Sequence, residues 1–137
     1  MNLTLFLETF SAWARAQADI EGVALVGSHA RDAATTDSDV DLVILTSVVS
    51  RYFQDQSWIS QFGDVGQRSV EEWGRVKSLR VFYKAGPEIE YNFATPDWAS
   101  SPVDRGTFNV VADGMKIVYD PQAVLGNLKD AVASGCS

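Results

Sequence analysis

Gly27-Ser28 and Asp39-Val40-Asp41, with ten residues between them, are the residue types and the spacing in this sequence that could do chemistry. They lie in the stretch Val23 to Thr46, VALVGSHARDAATTDSDVDLVILT. It reads as a strand, a tight turn, a short polar helix or loop, and a second strand that opens on the Asp pair. A Gly-Ser turn lets backbone approach an anion closely, and the free N–H groups of a helix start bind phosphate oxygens. Alternate residues of a strand share a face about 6.5 Å apart, so Asp39 and Asp41 can converge on divalent metal. Carboxylates are the ligands Mg²⁺ takes, with water and phosphate filling its other positions. Attack on the α-phosphate of a nucleotide needs these things: positioning, and neutralisation of charge on the triphosphate.

The pattern resembles the nucleotidyltransferase superfamily of DNA polymerase β, in particular its small bacterial minimal nucleotidyltransferases and the aminoglycoside adenylyltransferases. Their motif is Gly-Ser, ten residues, Asp-x-Asp, often with Ala-Arg just after the Ser. Here it stands as Gly27, Ser28, Ala30, Arg31, Asp39 and Asp41, and the order of elements around it agrees down to about residue 95. The resemblance implies transfer of a nucleoside monophosphate, AMP in the first instance, from ATP or another NTP to an acceptor hydroxyl, with release of pyrophosphate. It implies Mg²⁺, as two ions, held by Asp39, Asp41 and a third carboxylate on a neighbouring strand. Glu88 and Glu90 are the candidates, and strand parity puts both on one face, so periodicity does not choose between them. In the family the third carboxylate is followed by an alternating apolar tail, as in Glu90-Tyr91-Asn92-Phe93, which selects Glu90 as metal ligand and general base. Gly27, Ser28 and Arg31 would then bind nucleotide, although Arg31 could equally pair with Asp32, Asp37 or Asp39.

The elements that must position these residues are legible from pattern. Leu3, Phe6, Leu7, Phe10, Trp13 and Ala14 recur at helical spacing and predict an amphipathic helix over 3–18. Val23 to Val26 predict a short buried strand. Val40, Leu42 and Ile44 alternate with Asp39, Asp41 and Val43, predicting a strand whose second face begins acidic. Residues 50–62 read as helix, and Val65 to Trp73 as a strand followed by a polar loop. Val76 to Lys84, the turn Ala85-Gly86-Pro87 and Glu88 to Ala94 read as a hairpin. Val110-Val111 and Ile117-Val118-Tyr119 read as an edge strand or return segment, and Pro121 with Val124, Leu125 and Leu128 as a closing helix. The expected class is α/β (α+β): a mixed, twisted sheet with helices packed largely on one side, in a single domain over 1–137.

Composition limits the partners. The chain carries a net charge of −7 with 46% apolar residues, which fits a globular fold and gives no basic stripe for generic nucleic-acid binding. His29 is the only His and Cys136 the only Cys, so neither a two-His site nor a thiolate metal site is expected. No apolar run approaches the ~18 residues of a membrane span, so a cytoplasmic protein is expected. Lys77, Arg80 and Lys84 lie near the hairpin, where one could reach a phosphate. Trp13, Trp58, Trp73 and Trp98 are expected chiefly as core residues, and Trp98, beyond the third-carboxylate strand, is the one to inspect as a nucleobase platform.

Two function classes remain. One is a free enzyme acting on a small molecule or protein side chain, its acceptor surface completed by a homodimer or another chain. The other, also implied by the resemblance, is an antitoxin-type minimal nucleotidyltransferase that binds, and could adenylylate, a helical HEPN-domain toxin partner.

Overall fold

A computed structural model describes residues 3–30, 39–85, 88–100 and 103–134. Among them six strands form one mixed sheet: β1 (Ile20–Val26), β2 (Val40–Thr46), β3 (Val65–Trp73), β4 (Val76–Tyr83), β5 (Glu88–Ala94) and β6 (Met115–Tyr119). The order across the sheet is β3-β4-β5-β2-β1-β6. Every neighbouring pair is antiparallel except β2 and β5, which run parallel at the centre. The helices are α1 (Leu3–Ala16), the single turn α2 (Arg51–Gln54), α3 (Arg105–Asp113) and α4 (Val124–Ala133), with 3₁₀ turns at Ser57–Phe62 and Pro96–Ala99.

Alternation along the central strands sends residues into two separate cores. On one face Val23, Leu25, Leu42, Ile44, Tyr91 and Phe93 pack under α1, through Phe6, Phe10 and Ala14, and under Tyr52, Trp58 and Ile59. The cluster is dense in rings. Phe10 stacks on Tyr91 at 5.6 Å, Tyr52 on Phe93 at 5.0 Å and Trp13 on Trp58 at 5.2 Å. Its buried polar atoms are satisfied: the Tyr83 hydroxyl lies 2.8 Å from that of Tyr91 and 2.8 Å from the Ile59 carbonyl. At the rim Asp19 pairs with Arg51 and accepts from Tyr52 and Thr46, which fixes the start of β1 against α2.

On the opposite face Ala24, Val26, Val43, Leu45 and Ala94 pack against Trp98, Val111, Leu125, Leu128 and Val132. The mixed α/β class is as expected. The distribution of helices differs from the expectation that most would pack on one side, because α3 and α4 cover part of the second face.

Four elements differ locally from the expectation. Residues 105–113, which contain Val110-Val111, are helical because Asp104 caps them: its carboxylate accepts from the Thr107 N–H at 2.9 Å. The 50–62 segment is broken between a single α turn and a 3₁₀ turn. β3 continues as strand to Trp73 and pairs with β4 along its whole length, although it is almost entirely exposed. The closing helix starts at Val124, later than Pro121, with the Asp120 carboxylate accepting from Leu125 and Gly126 N–H groups. No helix among the described residues is long and apolar enough to cross a membrane. Arg31, Ser38, the turn Thr35 to Ser38, Gly86-Pro87 and Cys136 lie outside the described residues.

Candidate functional site

The second face of the sheet is only partly covered. Toward the start of β2 and β5 it carries polar groups in place of a core. Val26, at the end of β1, pairs with Asp41 on β2, and Asp41 pairs with Glu90 on β5. Glu90 in turn pairs with Arg80 on β4. One line across four strands therefore runs from an apolar strand end through two carboxylates to a guanidinium. Asp39 and Glu88 stand two residues back on their strands and share the same face.

Gly27 follows Val26 in the left-handed region, with φ +75°. A Cβ there would lie 2.5 Å from Asp41 Oδ2, closer than real contacts allow. Gly27 thus serves two ends: it turns the chain after β1, and it leaves room for the Asp41 carboxylate. The Ala30 N–H closes the turn on the Gly27 carbonyl at 3.1 Å, with Ser28 and His29 half-buried between them.

Arg80 ties the outer side of the site together. Its Nη2 donates to Glu90 Oε2 at 2.9 Å, Nη1 lies 3.4 Å from Glu88 Oε2, and Nε lies 3.0 Å from Glu71 Oε1 on β3. The Nε–Glu71 approach is close in distance but the N–H is not aimed at the oxygen, so Nε is buried without a hydrogen-bond partner. Burial works against the arginine's charge, but Glu90, Glu88 and Glu71 outweigh it and hold the guanidinium above its ordinary pKa.

The carboxylates feel one another. Burial pushes Glu88 up to about 7, helped by the Asp39 carboxylate within hydrogen-bonding reach, with Arg80 opposing. Glu90 is also raised, first by burial and then by the charge of Asp41, and Arg80 again opposes. The structure therefore puts both glutamates beside the aspartates, Glu88 against Asp39 and Glu90 against Asp41, in place of the single neighbour that the choice between them supposes.

These groups open into a cleft of about 390 Å³ lined by Gly27, Asp41, Glu90 and Asn92 at its floor, and by Trp73, Val76, Trp98, Val110 and Asp113 along its walls. Asn92 is fixed there, its Nδ2 donating to the Leu42 carbonyl at 3.0 Å and its Oδ1 accepting from Ser78. Trp98 is buried, whereas Trp73 is 58% exposed at the tip of the β3–β4 hairpin. Arg75 anchors that tip through ion pairs to Asp97 at 3.1 Å and Asp104 at 2.7 Å.

The donor set suits a hard divalent cation. It consists of carboxylate oxygens from adjacent strands, on one face, at the floor of a cleft. As they stand, no three His, Cys, Asp or Glu side chains among the described residues converge on a position an ion could take. Asp39, Asp41 and Glu90 are not such a group in this arrangement, and Glu90 is paired with Arg80 on β4.

Several members of this site escaped sequence reasoning. Arg80 stood level with Lys77 and Lys84, but Lys77 lies over the Phe53 ring at 4.6 Å and Lys84 is exposed at the end of β4. What sequence reasoning lacked was the register of β4 against β5, which sets Arg80 opposite Glu90. Trp73 was hidden by the polar sequence of β3, and Asp113 by the helix taken for a strand.

Comparison with known proteins bears on part of this arrangement. The family model described as streptomycin adenylyltransferase matches residues 4–78, more than half of the chain. Among solved structures, an aminoglycoside 6-adenyltransferase from Bacillus subtilis superposes with a TM-score of 0.52 at 13% identity, over 69% of this chain and 36% of that one. The apo form of a CCA-adding enzyme gives a TM-score of 0.45 at 17% identity, over 94% of this chain and 32% of that one. The chain thus spans about a third of the length of the solved proteins it resembles. No curated protein sequence matches it.

Proposed function

Because the chain belongs to the streptomycin adenylyltransferase family, we propose that residues 1–137 work as one nucleotidyltransferase domain that moves AMP from ATP to an acceptor hydroxyl. The observation that carries this reading is the packing of the Asp41 carboxylate against Gly27 on one side and beside Glu90 on the other, at the floor of the cleft.

In this reading the Gly27-Ser28 turn receives the β- and γ-phosphates on its backbone N–H groups and the Ser28 hydroxyl. Arg31 lies near enough in sequence to add charge there. Asp39, Asp41 and Glu90 hold Mg²⁺, as two ions. Bound there, Mg²⁺ neutralises the triphosphate and makes the acceptor hydroxyl more acidic. In-line displacement puts the attacking oxygen opposite the leaving group. With pyrophosphate at the β1 end, the acceptor enters from the β5–β4 side. The acceptor oxygen bonds to the α-phosphorus, the bond from that phosphorus to the bridging oxygen breaks, and pyrophosphate leaves with the electron pair. Glu90 takes the hydroxyl proton.

The cleft walls bear on the acceptor. Asp113 adds a carboxylate to those on the floor, and Trp73 and Trp98 supply apolar ring faces. That lining suits a molecule with cationic groups that can lie over the rings, as streptomycin has. The test is incubation of the purified protein with α-labelled ATP, Mg²⁺ and either streptomycin or cell lysate. Label should move to an acceptor with pyrophosphate released, and EDTA should stop it. Transfer that continues in EDTA would overturn the metal assignment, and ATP left intact with every acceptor would overturn the activity.

A further inference from the structure

The arginine inside the acidic cluster is more than the fold requires. Asp39, Asp41, Glu71, Glu88 and Glu90, contributed by β2, β3 and β5, lie on one face of the sheet, and Arg80 of β4 touches three of these five carboxylates. Its side chain is only 28% exposed, and Nε is buried with no acceptor in line. A guanidinium can satisfy two carboxylates in fork geometry. Here it is spread over three: one good bond to Glu90 at 2.9 Å, a long contact to Glu88 at 3.4 Å and a misaligned one to Glu71, so no pair is bidentate at short range. A residue selected to fix Glu90 alone would make the bidentate pair and leave the others to solvent. Spreading across the cluster is what a mobile positive charge does when it substitutes for a more concentrated one.

We infer that Arg80 is the site's internal counter-ion, holding Glu88 and Glu90 until a divalent cation arrives together with its nucleotide. The inference rests on the metal-binding role proposed above for Asp39, Asp41 and Glu90. Two consequences follow from charge alone. A cation entering by itself must displace a guanidinium that has nowhere better to go, so it binds weakly. A cation entering with a triphosphate brings oxygens that can accept Arg80, so the exchange becomes favourable. Arg80 thereby couples metal loading to nucleotide loading and offsets part of the repulsion among the carboxylates until a cation binds.

The experiment titrates Mn²⁺, with free ion counted by electron paramagnetic resonance, into the full chain and its variants with and without a non-hydrolysable ATP analogue, each read against the analogue alone, which itself chelates Mn²⁺. Arg80→Gln should bind Mn²⁺ alone about fivefold or more tighter than wild type, because an interposed positive charge is gone. The gain in Mn²⁺ affinity on adding the analogue should shrink. Arg80→Lys keeps the charge and should stay within about twofold of wild type. If Arg80→Gln binds Mn²⁺ alone no tighter, or more weakly, Arg80 merely positions Glu90 and the inference fails.

A measurement on the wild type needs no variant to fold. The Arg80 Nε–H resonance should be unmoved by Mg²⁺ alone and should shift when Mg²⁺ and the analogue are added together. A resonance that stays fixed with both present would also overturn it. The two claims fail separately. If no form binds Mn²⁺ even with the analogue, the metal assignment falls and this inference with it. If wild type binds Mn²⁺ with the analogue but Arg80→Gln shows no gain, only the role of Arg80 falls.

Discussion

On β5 the residues Ile89, Tyr91 and Phe93 enter an aromatic core, while Glu88, Glu90 and Asn92, alternating with them, face carboxylates, an arginine and an open cleft. The two sets belong to one backbone and have the same neighbours in register, yet they follow different rules. The core face gains free energy from burial and ring packing, and its polar atoms are paired. The cleft face holds like charges side by side, leaves an arginine N–H without an acceptor, and raises the pKa of two glutamates. Such a face opposes folding, and a strand can bear it because its reverse side is well packed. The comparison teaches that stability and chemistry here are separated by side-chain parity, residue by residue, with no separation into lobes.

If that division holds, substitutions on the two faces should have opposite signatures. The largest effect expected is on the cleft face. Asp39→Asn combined with Asp41→Asn should lower nucleotidyl transfer by about 10³-fold or more. Its melting temperature should be no lower than wild type, since neutral amides relieve repulsion with Glu88 and Glu90. Activity is to be compared after circular dichroism confirms the fold, and transfer that persists would place the chemistry elsewhere.

The converse is Phe10→Ala, beneath Tyr91 on the core face. It should destabilise by about 3–5 kcal/mol, read by urea unfolding, while the folded fraction keeps the wild-type KM for ATP. An altered KM at full folding would show that the two faces communicate.

A smaller effect sharpens the comparison through pH. Glu88, raised in the fold to about 7 from its ordinary 4.5, binds its proton more tightly folded than unfolded. Its contribution to stability is therefore present below about pH 4.5 and fades as pH rises through about 7. Metal-free protein should lose melting temperature across that window, and Glu88→Gln should flatten the slope, leaving the part due to Glu90. An equal slope in the variant would assign the loss to other groups.

What could be read in the sequence followed the same division. The core face announces itself: Tyr91 and Phe93 alternate with polar residues, and Phe6, Phe10 and Trp13 recur at helical spacing, so α1, β2, β4 and β5 were legible. β3 was only half legible because an exposed edge strand has no buried residues to mark its period. The helix at Arg105–Asp113 was missed because Val110-Val111 was weighed and the Asp104 cap was not. At the site, the spacing of Gly27, Asp39 and Asp41 needed no structure. The reason for Gly27 did need it, since the clash with Asp41 depends on the pairing of β1 with β2. Arg80 needed the hairpin register, and the cover of the second face needed the path of the chain after β5.

The parallel pairing of β2 with β5 has a consequence for the order of events in time. Two parallel neighbours cannot be joined by a tight turn, and here the 41 residues 47–87 lie between them. Asp39 and Asp41 are therefore synthesised well before Glu88 and Glu90, and until β5 arrives the β2 edge that it will occupy is bare. The long loop must close before any contact rewards it, which makes this step slow among those that build the sheet. Insertion of β5 between β2 and β4 both completes the hydrogen-bonded centre and delivers the last carboxylates. A nascent or nicked chain lacking β5 would thus be catalytically silent and, with an open strand edge at its middle, prone to associate with others of its kind.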